Sequence, residues 1–271
     1  MKSGKQIDSI KILNIDILNT DIESLLYTYE SGCLFTPNID HLVLLQRDEQ
    51  FYHAYKTAEY VILDSQVIYL LSKLWKRSFM GRIAGSDFFP RFCEYHKKNA
   101  AVKIFVLGGL DGVAKEVGAL LNKRYDRNMV VDSYSPPLGF ENSIVELEKI
   151  VSRINTSGAN TLAVGFGAPK QEKWIFQNRK RLTNITRIMA IGATLDFMAG
   201  KQKRAPIWMQ KNGLEWFYRL LHEPIRLSKR YLIRDVQFFY YLSKGLFGIY
   251  RNPFEKYPEE LKSKEEIKEK V

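Results

Sequence analysis

The chain has 271 residues, 45% of them hydrophobic and 26% charged, with a net charge of +11 at neutral pH. That length and apolar content suffice to bury a sizeable core, as one large domain or one domain with an appendage, and exclude disorder throughout. No run of about 18 apolar residues occurs, which argues against a helix that spans a bilayer.

In chain order, runs rich in β-branched and aromatic residues predict strands at 10–15, 33–36, 60–63, 102–107, 129–134, 161–166 and 187–191. Helical periodicity predicts helices over 21–31, 39–58, 66–76, 87–99, 112–125, 143–156 and 170–181. This alternation is the pattern of an α/β fold, a mainly parallel sheet flanked by helices. Thr20, Ser86, Asp111 and Asn142 are placed to cap helix N-termini, and Gly32 and Gly158 to end helices in the left-handed region. From Pro206 the alternation stops. Two helical stretches follow, 206–221 and 225–246, broken near Pro224, and a Lys/Glu-rich end reads as a solvated helix or a frayed tail. The expected organisation is therefore an α/β domain over 1–200, a basic aromatic appendage over 201–251 and a charged tail over 252–271.

Cys33 and Cys93 sit in apolar contexts without CxxC spacing, which points to two buried thiols in a reducing cytosol. Residues 1–11 are polar, with no apolar stretch behind them of the kind a signal peptide carries. The positive charge is concentrated. Positions 201–251 hold 11 Lys and Arg against three acids, a net of +8, whereas positions 1–200 carry only +4. An anionic partner for that one segment is implied.

Several clusters carry candidate chemistry. Gly108, Gly109 and Gly112 follow a strand and precede a helix, yet lack the GxGxxG spacing; they read equally as a tight turn or as a phosphate contact. Gly165-Phe-Gly-Ala-Pro-Lys-Gln-Glu172 leads a strand through small residues into a helix whose first position is expected at Pro169. Free N–H groups there make an anion site. Lys170 opposes the helix dipole by about 0.3–1 kcal/mol unless an anion is bound, and Glu172 partly offsets it. Asp64 closes an apolar strand and precedes a helix, so it is either a general base at the carboxyl edge of the sheet or the N-cap of the helix near Gln66. Thr36-Pro-Asn38 ends another strand with two hydrogen-bonding side chains, for which capping is the alternative. Arg82, Gly85 and Asp87 form a third cluster, in which the guanidinium binds a diphosphate or pairs with Asp87.

The sequence has no Walker A loop, GxSxG, HExxH, clustered His/Cys or Asp-x-Asp pair, so neither a metal nor a cofactor is expected. If the leaving group is a nucleoside diphosphate, its charge is then left to Arg, Lys and helix N-termini to stabilise. In the late segment Arg226, Arg230 and Arg234 recur at i, i+4 and share a helix face, interleaved with Trp208, Trp216, Tyr231 and Phe238 to Tyr241. Each basic residue at an anionic leaflet contributes about 1 kcal/mol, which supports reversible membrane attachment. Core packing or a homo-oligomer contact are the alternatives. A nucleic-acid-binding protein and a nicotinamide-dependent oxidoreductase are the rival functions; the first leaves the anion-binding turn without a role, and the second lacks its glycine fingerprint.

The most specific stretches are Val164-Gly-Phe-Gly-Ala-Pro-Lys-Gln-Glu-Lys-Trp174, Gly192-Ala-Thr-Leu-Asp-Phe-Met-Ala-Gly200, Arg204-Ala-Pro-Ile-Trp208 and Gly213-Leu-Glu-Trp216, the last followed by Tyr218-Arg-Leu, Glu223-Pro and Arg226. In that order they resemble the WecG/TagA/CpsF glycosyltransferases, from about Ile10 to Tyr231. Arg82-Ile-Ala-Gly-Ser-Asp87 and Thr36-Pro-Asn38 match the earlier family motifs. The resemblance implies a Rossmann-like core with a C-terminal membrane-associating appendage, on the inner face of the bacterial plasma membrane. It implies metal-independent, inverting transfer from a UDP-sugar, typically UDP-N-acetylmannosamine, to a polyprenyl-diphosphate-linked N-acetylglucosamine. On that resemblance Asp64 is the base and Thr36 and Asn38 the active-site polar pair. Arg82, Asp87, Gly108, Gly109, Gly165, Gly167, Pro169, Lys170, Gln171, Glu172 and Asp196 are substrate-binding candidates. Arg204, Arg219, Arg226 and Arg230 would meet the acceptor diphosphate. Many members have Asp-Gly where this chain has Asp64-Ser65-Gln66, which leaves another UDP-hexose or a UDP-mannosaminuronic acid open as donor.

Overall fold

In the computed structural model, residues 8–76 and 78–255 are described; the expected charged tail lies outside them from 256 onward. The chain opens with an antiparallel hairpin, β1 (Ser9–Ile12) and β2 (Ile15–Leu18). A single strand is predicted over 10–15. The structure splits it because Leu13 takes a φ of 55° at the turn and Asn14 is buried with its amide on the Leu45 carbonyl.

Then come α1 (Ile22–Thr28), β3 (Gly32–Phe35), α2 (Ile39–Leu44), α3 (Glu49–Lys56), β4 (Tyr60–Val61), α4 (Gln66–Ser72), α5 (Gly85–Tyr95), β5 (Ile104–Gly108) and α6 (Val113–Tyr125). After these lie β6 (Val130–Tyr134), α7 (Ile144–Thr156), β7 (Thr161–Gly165), α8 (Lys170–Asn178), β8 (Arg187–Ala190) and α9 (Thr194–Met198). The end of the described chain is helical: α10 (Ile207–Lys211), α11 (Glu215–His222), α12 (Pro224–Ser228), a π-helical stretch at Lys229–Arg234 and α13 (Gln237–Leu246).

Six strands form one parallel sheet in the order β4-β3-β8-β7-β5-β6. Alternate side chains feed two cores, as a sheet covered on both faces requires. Cys33, Phe35, Phe105, Leu107, Leu162, Val164, Ile188 and Ala190 face one core with α2, α3, α7 and α8. Leu34, Ile104, Val106, Ala163 and Met189 face the other, with α1, α5, α6 and α9. Phe238 of α13 is fully buried in the first of these, against the sheet domain. Both cysteines are buried and unpaired, and burial pushes the Cys33 thiol up to about 12.

Local chemistry explains where the boundaries differ from the sequence reading. The predicted helix 39–58 is two helices, because Asp48 accepts from the Phe51 N–H and starts α3 afresh. The predicted 206–221 helix breaks at Gly213, which adopts a φ of 73° between α10 and α11. The predicted 225–246 helix is divided by the π-helical stretch. Asp21 and Ser143 do the capping expected of Thr20 and Asn142, one residue earlier in the chain. Ala84 and Gly112 hold the N-cap positions expected of Ser86 and Asp111, without a side-chain bond. Gly158 follows α7 at a φ of 72°, whereas Gly32 begins β3, after α1 has already ended at Thr28.

Candidate active site

The carboxyl ends of β3, β4, β7 and β8 open into a cavity of about 700 Å³, a volume typical of a small-molecule site. Thr36 and Asn38 enter it after β3, Asp64 and Ser65 after β4, Gly167 and Gln171 around the start of α8, and Gly192 to Thr194 after β8. The far wall comes from the C-terminal helices, through Glu215, Trp216, Arg219, Arg226 and Arg230.

Asp64 is fixed by its neighbours' backbone. Its N–H donates to the Pro37 carbonyl at 3.1 Å, and the preceding residue is tied down where the Ile83 N–H donates to the Leu63 carbonyl at 2.8 Å. The helix-capping alternative for Asp64 is not what the structure shows: Ser65 caps α4, accepting from the Ile68 N–H. The Asp64 carboxyl is thus free for other work. Burial pushes it up to about 7, against the pull of Arg82, whose guanidinium lies 4.0 Å away.

Arg82 is shared. It donates to Asp87 at 2.9 Å and lies 3.5 Å from Glu215, while Arg204 makes a two-pronged pair with Asp87. Pairing, one alternative for Arg82, is therefore present, yet Arg82 remains on the cavity wall beside Asp64. Arg204 and Asp87 stand behind that wall and hold Arg82 in place. Asn38 caps α2 by accepting from the His41 N–H, and its Oδ1 also lies 3.4 Å from an Arg230 amine.

Around Asp40 the late helices join the sheet domain. This carboxylate is 1% exposed and pairs with Arg230 at 3.1 Å and with Arg234. Burial and the Asp40 charge push the neighbouring Asp235 carboxyl up to about 7. Arg226 pairs with Glu223. Arg219 differs: its buried Nε has no hydrogen-bond partner among the described residues, and it faces the cavity. The cavity wall thus carries four arginines, Arg82, Arg219, Arg226 and Arg230, beside the carboxyls of Asp64, Glu215 and Asp235.

The glycine-rich motif is divided between cavity and scaffold. Gly167, at a φ of 76°, and Gln171 face the cavity. Pro169 is the N-cap of α8 and not its first helical residue. Lys170 turns outward, pairing with Glu141 over the Phe140 ring. Gly165 and Gly108 permit close strand approach: a Cβ on Gly108 would stand 2.5 Å from the Gly165 carbonyl oxygen, and one on Gly165 would stand 2.9 Å from that of Gly192. The Gly109 N–H donates to Gly165, so the glycine pair forms a tight turn outside the cavity lining. Asp196 and Glu172 also lie off the lining; burial raises both carboxyls, Glu172 to about 7. Among the described residues no His, Cys, Asp and Glu group is arranged to hold a metal ion.

Sequence reasoning passed over His41, Glu215 and Asp235, all on the cavity wall. His41 bonds through Nδ1 to the Tyr55 hydroxyl at 2.7 Å, and burial lowers it to about 3, so the ring is neutral. Nothing in its apolar helical context marked it. Glu215 stood inside a quoted motif and was detectable there.

The raised Asp64 carboxyl has a stability consequence. Its folded value exceeds the unfolded value of 3.8, so the folded state holds its proton longer and stability falls as pH rises between about 4 and about 7. Asp64→Asn is therefore expected to melt above the wild type at pH 8, with the gap closing towards pH 5. Thermal unfolding at both pH values checks this, and an equal gap at both would contradict it.

No helix among the described residues is long and apolar enough to cross a membrane. The sequence model of the Glycosyl transferase WecG/TagA/CpsF family matches residues 7–252. The chain belongs to that family and is a glycosyltransferase of cell-surface polysaccharide synthesis.

Proposed function

We propose that the enzyme moves a sugar, N-acetylmannosamine in the first instance, from a UDP donor to a polyprenyl-diphosphate-linked N-acetylglucosamine, with inversion and without a metal ion. The observation that carries this reading is the presence in one cavity of a partly buried Asp64 with Arg82, Arg219, Arg226 and Arg230. Asp64 takes the proton from the acceptor hydroxyl as that oxygen attacks the anomeric carbon. The C–O bond to the donor diphosphate breaks on the opposite side. Arginines around the cavity stabilise the diphosphate of the leaving group and that of the acceptor, where charge develops or must be held. A carboxylate with an affinity for protons near pH 7 is a stronger base than an ordinary Asp and is still ionised in a useful fraction.

The donor alternatives, another UDP-hexose or a UDP-mannosaminuronic acid, turn on the loop after Asp64. Ser65 is engaged in capping, and the Gln66 side chain donates to the Lys211 carbonyl at 2.9 Å while lining the cavity. UDP release from a panel of UDP-sugars, with and without a short-chain N-acetylglucosaminyl diphospho-lipid, tests the assignment. Acceptor-dependent release is expected, insensitive to chelator, with kcat/KM rising through an apparent pKa near 7. Asp64→Asn should lose about 10²–10⁴-fold of turnover while binding donor. Near-normal turnover in that variant removes Asp64 as the base.

The enzyme works as a peripheral protein on the inner face of the plasma membrane. Ile207, Trp208, Ile225, Leu232, Ile233 and Phe247 expose apolar side chains on the basic C-terminal segment, an arrangement suited to an anionic interface. Co-sedimentation with anionic vesicles is expected for the wild type and is expected to weaken sharply in a combined Ile225→Glu, Leu232→Glu, Phe247→Glu variant. Unchanged binding of that variant would reject this face as the anchor.

A further inference from the structure

Two adjacent motif residues have different surroundings. Gln171 reaches the cavity wall, whereas Glu172 is fully buried and lies off the lining. The Gln171 carboxamide is engaged at both ends: its Oε1 accepts from the Gly192 N–H at 3.1 Å, and its Nε2 donates to Glu172 Oε1 at 2.8 Å. A carboxamide can be inserted either way round, and its partners decide which. The Gly192 N–H can only donate. Glu172 Oε1 accepts when the carboxyl is ionised, and also when its proton resides on Oε2, an atom with no hydrogen-bond partner among the described residues. This donor on one side and acceptor on the other admit a single orientation of Gln171.

Gly192 opens the turn after β8, and Gly192, Ala193 and Thr194 all line the cavity that holds Asp64. We propose that Glu172 is a positioning residue for the transfer site. It sets the Gln171 carboxamide and, through that amide, the Gly192 turn, without touching substrate itself. The inference rests on the cavity being the transfer site.

The test compares Glu172→Leu and Glu172→Gln, each in the wild-type and in a Gln171→Met background, using acceptor-dependent UDP release and amide hydrogen exchange at Gly192. Glu172→Leu is expected to lower kcat/KM by about 10- to 100-fold, the scale of a misplaced wall in a transfer site, and to speed exchange at Gly192. Glu172→Gln retains an acceptor oxygen and should recover most of both. In the Gln171→Met background Glu172→Leu should cause no further loss, because the two act in series. Full activity with unchanged Gly192 exchange in Glu172→Leu overturns the inference, as does an equal further loss in the Gln171→Met background. Should Glu172→Leu not fold, Glu172→Met makes the same comparison. If no variant and no wild type turns over, the transfer reading has failed, while Gly192 exchange still reports whether the relay exists.

Discussion

The partial burial of the Asp64 carboxyl governs the chemistry of the site. A carboxylate at the edge of a parallel sheet is ordinarily acidic and a weak base. Here the loop after β3 and the segment before α5 hold its backbone, that same segment supplies Arg82, and the C-terminal helices close over it, so that burial outweighs the arginine and lifts the group to about 7. Enzymes commonly tolerate such a destabilised group because its altered proton affinity is what the chemistry uses.

The closure is achieved by charge pairing over a long sequence separation. Asp87 binds Arg204, and Asp40 binds Arg230 and Arg234, so the basic excess of the late segment is partly consumed in attaching that segment to the sheet domain. Phe238 adds apolar burial to the same junction. Arg219 is left over, facing the cavity with an unused donor, which is the condition an anionic ligand meets best. A segment that is half structural and half functional in its charges explains why net charge alone is a blunt guide to its partner.

Much of this was legible beforehand because a sheet buried on both faces leaves dense β-branched runs, and all six parallel strands were located from them. The hairpin was not, since a turn at Leu13-Asn14 depends on a leucine at positive φ and on a tertiary bond from Asn14 to Leu45. Asp64 stood out by its position at a strand end, but whether it caps a helix was decided by the orientation of Ser65. Lys170 looked like an anion ligand from the first turn of its helix; its pairing with Glu141, far away in sequence, is invisible to local reasoning. Asp40 and His41 were hidden for the same reason, as ordinary members of a helix whose importance comes from what folds against it.

The central claim is that the sheet edge and the C-terminal arginines form one ligand site. Hydrogen–deuterium exchange of the full chain, with and without UDP, tests this most directly. The account predicts slowed exchange in the loops after β4, β7 and β8 and, in the same experiment, across 226–236. Protection confined to the sheet-edge loops, or absent from both, would contradict it.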